Sequence, residues 1–168
     1  MKMRKGFTLV ELLIVIVIIG ILAAAMLLSS GSATASAEAS NIVNNLRSLK
    51  SATVMFYADS MDAVAAVNGE LPSGVDIASL KDYTDNPKNF EAGKGYLFAA
   101  TGNKWYVGVI LDGAGAVKMS STAAEVLKKL EGKVQSLALF GTTGTTAPAA
   151  GATPGIAAGS KVVWMAAR

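Results

Sequence analysis

The chain has 168 residues, 52% of them hydrophobic, with 15 Lys and Arg, 12 Asp and Glu, and neither histidine nor cysteine. That length fits one domain plus one membrane-type helix. The missing residue types exclude Ser-His and Cys-His nucleophiles and thiolate or imidazole metal sites.

No serine or carboxylate pair sits in a recognisable catalytic frame either, so the reading is of a non-enzyme with no cofactor and no metal. The formal charge of +3 and the pI near 9.2 look basic, but Lys2, Arg4 and Lys5 supply the whole excess. From Phe7 onward, twelve cations face twelve acids. The imbalance therefore speaks for orientation in a membrane, first residues in the cytoplasm, and not for a nucleic-acid site.

Phe7 to Leu28 is a 22-residue run, apolar apart from Thr8 and Gly20, and it carries one charge, Glu11. About 20 residues at 1.5 Å rise cross a hydrocarbon core of about 30 Å. An acid near the middle of such a helix costs roughly 2.5–3.5 kcal/mol, and less near an end, so Glu11 calls for a partner charge.

The segment Lys5-Gly6-Phe7-Thr8-Leu9-Val10-Glu11-Leu12-Leu13 resembles the processing motif of type IV prepilins and of the type II secretion pseudopilins. The resemblance implies that a membrane prepilin peptidase cuts between Gly6 and Phe7 and N-methylates Phe7. It also implies that Glu11 guides assembly by pairing with the terminal amine of a neighbouring subunit. Within one monomer the freed amine and Glu11 stand one helical turn apart, and the helix dipole favours the carboxylate there. Two other readings compete: an ordinary uncleaved anchor, and a secretory signal cut near Ala33-Thr34-Ala35-Ser36-Ala37. The apolar run exceeds the usual signal core of about 7–15 residues and contains Glu11, which counts against the second.

Beyond the run, Ile42, Leu46, Leu49, Thr53 and Phe56 recur at steps of three and four, with Arg47, Lys50 and Asp59 available to the opposite side. The spacing predicts one helix from about Thr8 to about Met61. Residues 7–28 form its protruding half and residues 29–61 the amphipathic half that packs under a sheet. Ser29-Ser30-Gly31-Ser32 is a weak patch, since glycine costs about 1 kcal/mol relative to alanine. Relatives place a proline near here and melt locally in the filament; this chain has Leu28 instead, which leaves a continuous and a melted helix both open.

The head is expected over residues 62–168. Pro72 and Pro87 mark a loop region, in which Asp76 caps a short helix through Ile77, Leu80 and Tyr83. Asp82, Asp85 and Asn86 lack the spacing of a calcium loop and read as solvated turn acids. Residues 95–99 and 104–111 read as a hairpin around Thr101-Gly102-Asn103. Gly113-Ala114-Gly115 is a turn, and Ala116–Met119 suggests a short strand. Ser121 or Thr122 caps a second helix with Glu125 in its first turn; its spacing continues through Gly132 to Leu137, with a stop at Gly141. An alternative ends it at Glu131 and makes Val134–Phe140 a strand. Residues 141–160, almost all Gly, Thr, Ala, Pro and Ser, read as a mobile surface loop. Lys161–Ala166 closes the sheet, and Trp105 and Trp164 read as core or sheet anchors.

The expected fold is α+β, a long N-terminal helix packed on a small antiparallel sheet. The expected role is a structural subunit of a type IV pilus. The resemblance implies as partners identical subunits, minor pilins, prepilin peptidase, and a membrane assembly platform with its ATPases, and lipid before assembly. It places the precursor in the cytoplasmic membrane as a single-pass protein and the product in an extracellular filament. The alternatives are a pseudopilin of type II secretion and an unprocessed anchored protein with a ligand-binding head. Relatives often staple the C-terminal region with a disulfide; a chain without cysteine must hold that region by packing alone.

Overall fold

The computed structural model describes residues 6–67 and 70–168. Helix α1, Leu9–Asp59, is 51 residues long and therefore about 75 Å from end to end. It runs unbroken through Gly31 and stops at Ser60, whose N–H donates to the Phe56 carbonyl at 2.9 Å. A short helix α2, Met61–Ala66, follows, so the expected end near Met61 is a break at Ser60 followed by a second helical turn.

The C-terminal part of α1 buries a stripe of Ala35, Ala39, Ile42, Val43, Leu46, Leu49 and Ala52, with the Thr53 hydroxyl returned to the Leu49 carbonyl at 2.8 Å. The stripe starts at Ala35, about two turns earlier than the predicted Ile42, because small alanines let a second helix approach closely. Arg47, Lys50 and Asp59 are exposed, as the spacing required.

The sheet has four antiparallel strands in the order β1-β2-β4-β3: Tyr96–Thr101, Lys104–Ile110, Val162–Ala166 and Leu139–Thr142. Gly102 and Asn103 join β1 to β2, with a positive φ at Gly102 only, the pattern of a type II′ hairpin. Both faces of β2 are buried. Phe98, Trp105, Val107, Val109, Leu139, Val163 and Met165 meet α1 and its neighbours in one core. Tyr106, Phe140, Val162 and Trp164 form a second core on the other face. Trp105 and Trp164 are both fully buried, one in each core.

Between α1 and the sheet, Asp76 accepts from the Ala78 and Ser79 N–H groups and starts a 3-10 helix, Ile77–Tyr83, that buries Ile77 and Leu80. A second 3-10 turn, Pro87–Phe90, sets the Phe90 ring edge-on to Tyr96 with centroids 5.1 Å apart.

Helix α3, Ala123–Glu131, opens on a capping box in which Thr122 and Glu125 satisfy each other's main-chain N–H. It packs Val126, Leu127 and Leu130 against the core. The predicted continuation to Leu137 is corrected: α3 ends at Glu131, one short turn α4 covers Val134–Leu137, and Leu139–Thr142 is a strand, so Gly141 lies inside β3 and stops no helix. The physical reason is that Leu139 and Phe140 are adjacent yet belong to opposite cores, which only an extended chain can serve. Ala138, at φ 48°, turns the chain between the two.

One further expectation is corrected. Ala116–Met119 forms no strand and instead hangs on β2 through Val117 N–H to the Ile110 carbonyl at 3.0 Å. The tract 141–160 enters as the end of β3 and is otherwise turn and coil, with main-chain bonds to β3 near its two ends. Gly141 N–H donates to Gly155 at 2.7 Å, Gly155 N–H to Leu139 at 2.9 Å, and Lys161 N–H to Thr142 at 2.8 Å. Ala147, Pro148 and Ser160 are buried and Ile156 packs on the first core, and main-chain bonds to the free edge of β3 add to that hold.

Glu38 links α1 to the entrance of α3: its carboxylate accepts the Ser120 N–H at 2.6 Å and the Ser121 N–H at 3.1 Å. Those bonds, Ser120's above all, hold its pKa below the usual glutamate range, and the Thr122 main-chain N–H, then its hydroxyl, does the same for Glu125. Both folded-state values are depressed, so the stabilisation is complete above the unfolded value, about 4.3, and fades as pH falls through the lower folded values. In thermal melts of the full chain in detergent, Glu38→Gln should lower Tm at pH 7, and the gap from wild type should narrow as pH falls below the unfolded value and through the depressed folded one. A gap independent of pH would contradict this. A second outcome concerns Gly108, over which the Trp164 ring lies; a β-carbon there would sit 2.5 Å from the indole. Gly108→Ala should destabilise by about 1–3 kcal/mol in denaturant melts.

Candidate processing and assembly segment

Gly6, Phe7 and Thr8 precede the first helical residue, and Thr8 is extended, at φ −79° and ψ 152°. Gly6 meets no atom within 4 Å of where a β-carbon would stand, and Phe7 is 83% exposed. The peptide bond between them lies in exposed, non-helical chain. The five residues before Gly6, with Lys2, Arg4 and Lys5, lie outside the described residues.

Glu11 sits in the first turn of α1 and closes a capping box with Thr8. Its carboxylate accepts the Thr8 N–H at 2.8 Å and the Thr8 hydroxyl at 2.7 Å, while its own N–H donates to Thr8 Oγ1 at 3.2 Å. No hydrogen bond joins Glu11 to Phe7 among the described residues, and in the uncut chain the Phe7 nitrogen is an amide without charge. Thr8 is the residue that sequence reasoning missed. Its signal was present, a threonine three places before a glutamate at the head of an apolar run.

Downstream, α1 is long and apolar enough to cross a membrane, and its most apolar window is wholly unburied. Leu9 through Leu27 present their large side chains outward on every face. The head takes hold only at the next turns. Lys129 Nζ donates to Ser32 Oγ at 2.9 Å and Lys133 Nζ to Ser40 Oγ at 3.3 Å, flanking the buried Ala35 and Ala39. Further along, Val54 and Met55 remain about half exposed on the side of α1 turned from the head, beside Arg47 and Lys50. Among the described residues, no group of three or more His, Cys, Asp or Glu is placed to hold a metal.

Residues 1–27 match the prokaryotic N-terminal methylation motif. The chain carries the leader motif of the type IV pilins and pseudopilins. Comparison with curated proteins and with solved structures returned no match. The pilin motif marks a family of structural subunits rather than of enzymes, and with the apolar helix it fits a membrane-anchored precursor. It also implies handling by prepilin peptidase and assembly with other pilins. The long helix on a small antiparallel sheet is the pilin arrangement.

Proposed function

We propose that this chain is the building subunit of a type IV pilus. Prepilin peptidase cuts between Gly6 and Phe7 and methylates the new terminus. The observation that carries this reading is the division of one rigid helix: its first half offers apolar side chains on all faces, and its second half is gripped by the head. Lipid covers the first half in the precursor. In a filament the same half-helices cover one another, and packing between them replaces lipid contact. The exposed side of the second half, with Val54 and Met55, extends that contact toward the head.

Cleavage removes the cations Lys2, Arg4 and Lys5 and creates one new charge. The Phe7 amide becomes an amine four residues before Glu11, and a cation in an apolar bundle needs an anion. Glu11 of a neighbouring subunit meets that need and fixes the axial register, because greasy helices without a charge pair slide. The energy for extrusion comes from partner ATPases, since the chain has no phosphate-binding G-x-x-x-x-G-K-[ST] loop. Minor pilins and the membrane assembly platform complete the set of partners.

Mass spectrometry of filaments sheared from cells tests the reading. The expected product is this polypeptide beginning at N-methylated Phe7. A terminus at Met1 or near Glu38 would refute it, and a processed chain missing from surface filaments would point to the pseudopilin role in secretion. Glu11→Ala should still insert and be cut, while filament yield drops about tenfold or more, because leaving a buried charge unpaired costs about 3–5 kcal/mol.

A further inference from the structure

A cleft of about 370 Å³ opens on the head between α1, the Pro87–Phe90 turn and the segment after β2. Three ammonium groups ring it, those of Lys88, Lys94 and Lys118, and no carboxylate lines it. All three lysines are exposed, and none takes part in an ion pair among the described residues. Glu38 borders the adjoining hollow of about 150 Å³, but its oxygens are committed to the Ser120 and Ser121 N–H groups. On a mature chain whose charges balance, this is a local concentration of positive charge.

The floor is polar and half-buried. Asn45 Nδ2 donates to the Tyr96 hydroxyl at 2.6 Å, which leaves the phenol's own O–H to donate elsewhere. Burial holds the Tyr96 phenol above its usual pKa, so it stays a neutral donor. Asn89 adds a second amide to the lining, and Ala116 and Val117 supply a small apolar wall. That wall is preformed. Ile110 N–H donates to Gly95 at 2.7 Å, and Gly95, at φ 86°, passes so close to Val117 that no side chain fits between.

We propose that this cleft binds an acidic saccharide, with carboxylate or sulfate groups held by Lys88, Lys94 and Lys118 and hydroxyls met by Asn45, Asn89 and Tyr96. Amide and phenol groups pair with sugar hydroxyls, and the Ala116–Val117 wall suits the C–H face of a pyranose. Single-stranded nucleic acid is the poorer fit. It needs an open aromatic face for base stacking, and the Tyr96 ring is buried edge-on against Phe90. The site needs only the folded head and stands whether or not the chain forms a pilus.

The test is a ¹H–¹⁵N NMR titration of the full chain in zwitterionic detergent at low salt, with trigalacturonate as probe. Saturable shifts are expected at the Tyr96, Val117 and Lys118 amides. Neutral galactotriose should give none, and a thymidine trinucleotide should bind more weakly. Lys94→Ala and Lys118→Ala should each weaken binding about three- to tenfold, and Tyr96→Phe, which keeps the buried ring, should weaken it too. Lys104→Ala, at the β1–β2 turn, should change nothing. Absence of saturable shifts, equal response to the neutral sugar, equal or tighter binding of the trinucleotide, or unaltered affinity in the lysine variants would each overturn the proposal.

Discussion

Burial of the α1 stripe from Ala35 to Ala52 is the contact on which the head depends. The stripe meets two partners in succession: α3 along its alanines, then the sheet and the 3-10 helix along its larger residues. Alanine every fourth residue brings the α3 backbone close, and Leu46 and Leu49 then fill the wider space below. Because the helix is continuous through Gly31, the head's hold on the stripe also fixes the direction in which the apolar half projects. Packing at Ala35 thus sets the axis along which Phe7 and Glu11 are presented some 40 Å away, about 28 residues at 1.5 Å each.

The sheet answers a different demand. A four-stranded sheet covered by α1 on one face leaves its other face to water, yet β2 is buried on both sides. Tyr106, Phe140, Val162 and Trp164 close that second face with help from Ala147 in the long tract after β3. Trp164 lies across Gly108 and donates its indole N–H to Thr142 Oγ1 at 2.9 Å. A residue with no side chain on β2 and the largest one on β4 make a single fitted layer, so the identity of each depends on the other.

Much of this was legible in sequence where one residue has one task. The hairpin around Gly102, the caps at Asp76 and Thr122, the closing strand and the anchoring tryptophans all follow local rules that the structure obeys. Illegible parts were those settled by long-range partners. Ala123–Leu137 keeps helical spacing, and the edge of β4, together with the two cores that Leu139 and Phe140 serve, explains why the chain straightens at Leu139. The tract 141–160 has one large apolar side chain, Ile156, and nothing in its composition tells that its main chain will bond to β3. The segment 116–119 has strand-like residues but makes one bond to the end of β2, Val117 N–H to the Ile110 carbonyl, and no ladder. At the candidate site Gly6, Phe7 and Glu11 stood out as a motif, whereas Thr8 passed as a polar interruption although it satisfies the Glu11 carboxylate.

A head without cysteine must still keep its last residues from fraying, and the topology does this by placement. β4 is an inner strand, bonded to β2 on one side and β3 on the other, so releasing it would strip two ladders at once. Its end is tied again beyond the ladder. Ala167 N–H donates to the Trp105 carbonyl at 2.8 Å, and Trp105 N–H donates to Arg168 at 2.9 Å. The Arg168 guanidinium lies 3.7 Å from the Tyr57 ring centre and donates to the Tyr57 hydroxyl at 3.0 Å. Tyr57 belongs to α1, so the final residue of the chain is fastened to its first helix. Such a clasp is weaker than a covalent staple, since a cation over an exposed ring contributes about 0.5–1 kcal/mol. It acts together with the ladders of β4, and the tail opens only when both give way.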